Sequence, residues 1–310
     1  MITTVTLAPA LDKTIRISNF SSGKVNRVEA VQFDAGGKGI NVSKNLNAWG
    51  VAARACGILG GANGAKIKAL LEKDQIVHDF VYTDDDTRIN IKITDPVNRA
   101  TTDINESAAA VSDEVLKAVF DRVASRLGQG NVVVLAGRVP GGVSPRIYAD
   151  WIAALKRLGA HVFLDAEGEL LSQGAKEKPA LIKANKKEFE DMLGYKVADE
   201  KEMIFAARNA VRQGIKTLVV SLGEQGAMFF NEQEAYRAPA LKVPVNSTVG
   251  AGDAMMAAMC FGTAKGLSFM DTCKFAMAAS AAAIMQTGTQ AVSKDMVENL
   301  LDEVRLEAIK

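Results

Sequence analysis

Short runs of apolar residues alternate along the chain with stretches whose apolar positions recur every three or four residues. The runs predict buried strands, and the periodic stretches predict amphipathic helices laid over them. Met1 to Leu7 reads as a strand. Gly39 to Trp49 reads as a helix in which Val42, Leu46 and Trp49 share a face. Val115 to Leu127, Tyr148 to Leu158 and Ala206 to Gln213 have helical spacing. Each leads to a strand candidate, at Val132 to Leu135, His161 to Leu164 and Thr217 to Ser221. This rhythm predicts an α/β fold with a mostly parallel central sheet covered on both faces. Ligands of such sheets gather at the carboxyl ends of the strands.

Two regions break the rhythm. Thr14 to Phe33 holds short alternating segments around Ser21-Ser22-Gly23-Lys24. Thr87 to Asp103 has Ile89, Ile91 and Ile93 alternating with Asn90 and Lys92, then a turn near Asp95-Pro96. Both read as strands inserted between α/β units. Together they predict a small β-sheet lid over a cleft; an edge of the main sheet is the alternative. No internal repeat divides the chain, so 1–310 reads as one domain with a discontinuous lid at about 13–34 and 87–104.

Composition narrows the classes. With 310 residues, 48% of them hydrophobic, the chain can bury a large core. The 37 basic and 36 acidic residues leave a formal charge of +1, so nothing global favours nucleic acid or an anionic membrane. Cys56, Cys260 and Cys273 are an odd, scattered set, which fits core packing in a reducing compartment better than a disulfide framework. The first residues lack a signal-like pattern, and the Ala- and Met-rich stretch from Ala254 to Met285 is broken by Lys265, Asp271 and Lys274. The expectation is a soluble, cytoplasmic protein without membrane or nucleic-acid partners.

Asn246-Ser247-Thr248-Val249 leads into Gly250-Ala251-Gly252-Asp253, followed by the helix-compatible Ala254 to Met259. A tight turn opening that helix would converge backbone N–H groups on a phosphoryl group, with no side chains to obstruct it. Asp253 beside it could accept a hydroxyl proton. A capped helix start explains the same residues without catalysis. Neither a Walker loop nor a persuasive dinucleotide-binding fingerprint occurs in the chain.

The segment Asn246 to Asp253 resembles the carboxy-terminal signature of the PfkB branch of the ribokinase-like kinases. Ala35-Gly36-Gly37-Lys38-Gly39-Ile40-Asn41-Val42 resembles that family's amino-terminal signature. The resemblance covers nearly the whole chain. It implies a three-layer sandwich with a lid and ATP-dependent phosphorylation of a sugar phosphate. Asp253 is then the catalytic base and Gly250, Ala251 and Gly252 form the anion hole. The implied acceptor is fructose 1-phosphate, phosphorylated at its 6-hydroxyl. Tagatose 6-phosphate and fructose 6-phosphate are the nearest alternatives, and a non-catalytic sugar-phosphate sensor is a more distant one.

On the acceptor side the resemblance assigns Asp12, Gly37 and Asn41 to the sugar. Lys38, Arg88 and Arg138 are candidates for its phosphate, because lysine supplies a mobile cation and arginine a planar fork of donors. On the nucleotide side it assigns Lys183 and Asn185 to phosphate contacts, and Ser221, Gly223 and Gly226 to a nucleotide loop. Glu188 would organise Mg²⁺ through water. Ser247, Val249 and Ile284 to Thr289 resemble a monovalent-cation region. Ser247 stands where some relatives carry an acidic residue, and no monovalent cation is assigned. A homodimer through the lids completes the expected partners, with ATP and a ketose phosphate as ligands.

Overall fold

The uninterrupted apolar runs become interior strands of a large sheet, and the periodic stretches cover both of its faces. The computed structural model describes residues 1–286 and 288–310. Strand β1 (Ile2–Thr6) leads through β2 (Ala10–Arg16) and β3 (Ala30–Gly36) to helix α1 (Lys38–Ala48). Then follow β4 (Ala53–Gly60), α2 (Gly61–Lys73), β5 (Val77–Thr83), β6 (Ile89–Asp95) and β7 (Ala100–Asn105). The middle of the chain alternates regularly: α3 (Asp113–Ala124), β8 (Val132–Ala136), α4 (Ile147–Arg157), β9 (His161–Asp165), α5 (Gly168–Lys176) and β10 (Leu181–Asn185). Helices α6 (Lys186–Leu193) and α7 (Glu200–Arg212) precede β11 (Thr217–Ser221), β12 (Ala227–Asn231) and β13 (Ala235–Ala238). The chain finishes with α8 (Ala251–Lys265), α9 (Phe269–Ile284), α10 (Lys294–Leu300) and β14 (Glu307–Ala308).

Among the described residues the large sheet has ten strands, in the order β14-β13-β12-β11-β10-β9-β8-β1-β4-β5. From β5 to β11 every neighbouring pair is parallel. The period of two in β8 makes the layering visible. Val132 and Val134 join a core with α1, α8 and α9, whereas Val133 and Leu135 join the opposite core with α3, α4 and α7. The molecule is therefore a three-layer α/β sandwich. Because α1 and α3 lie on opposite faces on either side of β1, the strand order reverses there, and a crevice opens at the carboxyl ends of β1 and β8.

The antiparallel edge was not legible as such. Residues 227–230 of β12 are as apolar as the parallel strands, but the β12–β13 turn is too short for a crossover. Asn231 accepts at its Oδ1 from the N–H groups of Gln233 and Glu234, which closes a hairpin.

A separate four-stranded sheet, ordered β3-β2-β6-β7, carries the two inserted regions. It spans Ala10–Gly36 and Ile89–Asn105 rather than 13–34 and 87–104. Leu11 and Ala35 pack with Ile67 and Leu71 of α2, which anchors the base of this sheet to the body. Asp12 faces Asp34 across the β2–β3 ladder and Asn90 across β2–β6, so polar residues line the opposite face.

The pair α8–α9 is fastened to α1 by aromatic contacts. Phe261 and Phe275 stack at 4.4 Å, and Trp49 meets them edge-on at 6.0 and 5.2 Å. Trp49 also donates to the carbonyl of Val292. This packing holds the beginnings of α1 and α8 side by side. Cys56, Cys260 and Cys273 are free and buried, as core residues.

Candidate active site

Helix α8 begins on Gly250, whose φ of 87° lies in the left-handed region and whose missing side chain leaves open space. The first helical bond runs from Ala254 N–H to the Gly250 carbonyl. The N–H groups of Ala251, Gly252 and Asp253 thus have no partner in the helix, and no side chain among the described residues caps them. A Cβ on Gly252 would lie 2.7 Å from Lys183 Nζ, so only glycine lets that ammonium approach the helix end. Helix terminus and lysine together favour an anion. The helix starts at Ala251, so Gly252 and Asp253 belong to its first turn instead of a loop before it.

Asp253 does not cap its helix. Its Oδ2 accepts from Asn41 Nδ2 at 2.8 Å, and the residue is only 8% exposed. Burial, followed by the negative charge of Asp165, pushes its carboxyl up to about 6 against the opposing pull of Lys38, Asn41 and Lys183. Such a group is largely ionised at neutral pH yet basic enough to take a proton during a reaction.

Behind it lies a cluster that sequence reading only half anticipated. Asp165, at the end of β9 and fully buried, contacts Lys38 Nζ at 2.7 Å and Lys183 Nζ at 3.2 Å. Burial opposes its charge, but Lys183 and Lys38 outweigh burial and hold its carboxyl below the usual range. For Lys38 burial likewise opposes the charge, while Asp165, Asp253 and Glu188 raise its pKa overall. Lys38, a candidate for the acceptor's phosphate, ion-pairs with Asp165, and its side chain lies against Gly137, next to Arg138. Asp165 itself carried no motif; its position at a strand's carboxyl end was the available signal.

Asn185 and Glu188 start α6 as a capping box. Asn185 Oδ1 accepts from Glu188 N–H at 2.9 Å, and Glu188 Oε2 accepts from Asn185 N–H at 2.7 Å. The helix-start explanation of Asn-x-x-Glu is therefore realised, and it leaves Asn185 Nδ2 and Glu188 Oε1 for other contacts. Glu188 Oε1 is 3.9 Å from Lys38 Nζ. Ser221 pairs with Asn185 across β10–β11. Beyond it Gly223 (φ 59°) has open space around its Cβ position. Gly226 differs, since a Cβ there would sit 1.9 Å from the Ala238 carbonyl oxygen. Its glycine is required by the neighbouring strand, with no ligand needed to explain it.

On the small sheet, Asp12 is 4% exposed and lies against Gly36, where a Cβ would come within 2.6 Å of its carboxyl carbon. Its Oδ1 accepts from Asn90 Nδ2 and its Oδ2 from Lys92 Nζ, both at 2.9 Å. Thr289 Oγ1 lies 3.4 Å from the same Oδ2. Asn90 and Lys92 were read only as the polar half of an alternating strand; the β2–β6 register puts that half on the face of Asp12. Gly37 caps α1 at φ 126° and packs on Thr6, letting the chain turn from sheet to helix. Arg88 donates to Asn90 Oδ1 and to the carbonyls of Glu106 and Ala8, and its Nε has no partner among the described residues. Burial, then the positive charge of Arg138, lowers the Arg88 pKa, so the two guanidiniums are near enough to repel. Arg138 is exposed and donates to Glu167 at 2.6 Å.

A cleft of about 880 Å³ separates the polar face of the small sheet from the segment leading into α8, with Lys92, Ser247, Val249 and Gly288 among its walls. Position 287 of the expected monovalent-cation region lies outside the described residues. No helix among the described residues is long and apolar enough to cross a membrane.

An uncapped helix end backed by buried lysines, with a carboxylate of raised pKa beside it, has the chemical equipment of a phosphotransferase. The comparisons with known proteins agree. The chain belongs to the pfkB family of carbohydrate kinases, which it matches over residues 5–296, and it is an ATP-dependent sugar kinase. It is 35% identical to a 1-phosphofructokinase of Haemophilus influenzae, over 100% of this chain and 99% of the relative. It superposes on Escherichia coli phosphofructokinase-2, solved in complex with substrates and products, with a TM-score of 0.93 and 29% identity over 97% of this chain and 98% of the other. The tetrameric inhibited form of the same Escherichia coli enzyme gives a TM-score of 0.91 and 28% identity over 97% and 98% of the two chains.

Proposed function

We propose that this chain transfers the terminal phosphoryl group of ATP to the 6-hydroxyl of fructose 1-phosphate, giving fructose 1,6-bisphosphate. The observation that carries the chemistry is the buried Asp253 carboxylate, held by Asn41 beside the uncapped N–H groups of α8. Asp253 takes the hydroxyl proton, and the N–H groups of Ala251, Gly252 and Asp253 receive the negative charge of the moving phosphoryl group. Lys183, against Gly252, adds positive charge at the same point. Lys38 lies between Asp165, Glu188 and Asp253, which suits it to phosphate oxygens passing from donor to acceptor.

The residues fit ATP and a hydrated Mg²⁺. Glu188 Oε1 is left over from the capping box and can hold a metal-bound water. When bound, Mg²⁺ supplies charge neutralisation across the phosphate oxygens. Asn185 and Ser221, neighbours at the ends of β10 and β11, with Gly223 beyond them, form the nucleotide's side of the crevice.

Asp12, Gly37 and Asn41 take the sugar, and Arg88 with Arg138 takes the phosphate it already carries. Two guanidiniums close enough to repel make an anion between them favourable. Fructose 1-phosphate is preferred as acceptor because a 1-phosphofructokinase matches the chain from end to end. The likeness to phosphofructokinase-2 supports fructose 6-phosphate as the second reading. A coupled assay with ATP and fructose 1-phosphate, fructose 6-phosphate, tagatose 6-phosphate or free fructose decides between them. Preference for fructose 1-phosphate by about tenfold or more in kcat/KM is expected; turnover of free fructose alone would sink the sugar-phosphate reading.

The same proposal includes a homodimer joined through the small sheets. Val31 and Ile104 are about half exposed on the face opposite Asp12, an apolar surface on strands that already present unpaired edges. The free thiols suit a cytoplasmic location.

A further inference from the structure

Lys92 stands on β6 in the interior of the small sheet and is only 8% exposed. A lysine is seldom buried so far without a partner that needs it. Its one hydrogen-bonding partner among the described residues is Asp12 Oδ2, at 2.9 Å. An ammonium has three donors, so two remain. Asp12 is not short of donors, since Asn90 serves its other oxygen and Thr289 approaches the same one. Neutralising Asp12 therefore accounts for one of the three N–H groups of Lys92. The remainder belong to a residue that borders the cleft of about 880 Å³ between small sheet and body.

A second observation points to the same place. Thr14 lies directly across the β2–β6 ladder from Lys92 and also lines the cleft. Its Oγ1 is buried and has no partner among the described residues. Spare donors on Lys92, a spare hydroxyl on Thr14 and the Asp12 carboxylate thus occur together on one polar face. An acceptor and a donor held side by side match two hydroxyls on neighbouring carbons: one donates to the carboxylate while the other accepts from the ammonium. A fixed ion pair presents both functions without needing to reorganise when ligand arrives.

We propose that Lys92 contacts the acceptor sugar directly, and that Asp12 and Lys92 together read a vicinal pair of its hydroxyls, with Thr14 bonded to the same sugar. This rests on the reading of the protein as a kinase of ketose phosphates. It adds a specificity-determining residue to those the sequence had suggested, and it locates hydroxyl recognition on the small sheet, apart from phosphate recognition at Arg88 and Arg138.

The test compares wild type, Lys92→Met and Lys92→Gln, using fructose 1-phosphate and its 3-deoxy and 4-deoxy analogues. Wild type should lose about thirtyfold or more in kcat/KM with one of the analogues. In Lys92→Met that discrimination should shrink to about threefold or less. The KM for the intact acceptor should rise about tenfold or more, and the KM for ATP should stay within about twofold. A lysine serving only as counter-ion to Asp12 would slow intact and deoxy acceptors alike; unchanged discrimination in Lys92→Met overturns the proposal. Should Lys92→Met fail to fold, Lys92→Gln, which keeps a donor toward Asp12, is read by the same criterion. If wild type prefers another ketose phosphate, the acceptor's identity falls and the comparison is made with that sugar's deoxy analogues. If it turns over no ketose phosphate, both readings fall.

Discussion

Asn41, on the first turn of α1, donates its amide to the carboxylate of Asp253, on the first turn of α8, at 2.8 Å and 212 residues away in sequence. The bond fixes the orientation of a buried carboxylate whose other oxygen remains for a ligand. It exists because Trp49 locks α1 onto Phe261 and Phe275, so that both helices point their amino termini into one crevice.

Replacing Asp253 by Asn should keep the hydrogen-bonding shape and remove the base. Turnover is expected to fall by about 10²–10⁴-fold, with the KM for ATP changed less than about threefold. Steady-state kinetics checks this, and near-normal turnover would remove Asp253 from the base role.

The pH dependence has a definite sign. A base with a pKa near 6 must be deprotonated to act, so acceptor kcat/KM should be level above about pH 7 and fall roughly tenfold per unit below about pH 5.5. A profile flat down to pH 5, with the protein still folded, contradicts this assignment.

The same shift bears on stability. The folded pKa of Asp253 is raised from 3.8 to about 6, so the folded state binds more protons than the unfolded state between those values. Stability therefore falls as pH rises through that window, and the full cost, about 1–3 kcal/mol, is present above it. Asp253→Asn should unfold at a temperature roughly 2–6 °C higher at pH 7.5, with the difference shrinking toward pH 4.5. Calorimetry of both proteins at the two pH values measures it; an equal difference at both would refute the linkage.

Gly252→Ala should place a methyl group 2.7 Å from the present position of Lys183 Nζ and force that ammonium away from the helix end. We expect kcat to drop about tenfold or more with the fold retained by circular dichroism. Wild-type kcat in this variant would show that Lys183 and the α8 terminus need not meet.

Arg88→Ala and Arg138→Ala should each raise the KM for fructose 1-phosphate about tenfold or more while sparing ATP, and should not weaken any residual turnover of free fructose. Equal losses with free fructose would mean that the two arginines hold the small sheet in place and leave the phosphate alone.

The α/β rhythm, the two small-sheet insertions and the amino- and carboxy-terminal signatures were legible in sequence, because each rests on local spacing. Strand Thr217–Ser221 was read to the residue, and the helical face of Val42, Leu46 and Trp49 is buried as its spacing required. The segment from Ala53 to Thr83 was not read, since Arg54, Gly57 and Gly60 break the apolar run of β4 even though the strand is buried along its whole length. Asp12, Asn41, Lys183, Glu188 and Asp253 were named from motifs, and the fold brings them to one crevice edge.

What sequence could not decide is which charge meets which. Lys38 was grouped with two arginines by chemistry, yet its partner is Asp165, 127 residues away. Lys92 looked like the polar half of a strand, but the fold sets it opposite Thr14 on the β2–β6 ladder and brings its ammonium diagonally to Asp12. Pattern along a chain is set by local geometry and by the need to bury apolar faces, and it specifies elements. The pKa of Asp253 and the pairing of Lys38 and Lys92 depend on distances across the crevice, which arise only when three layers pack and strand order reverses at β1.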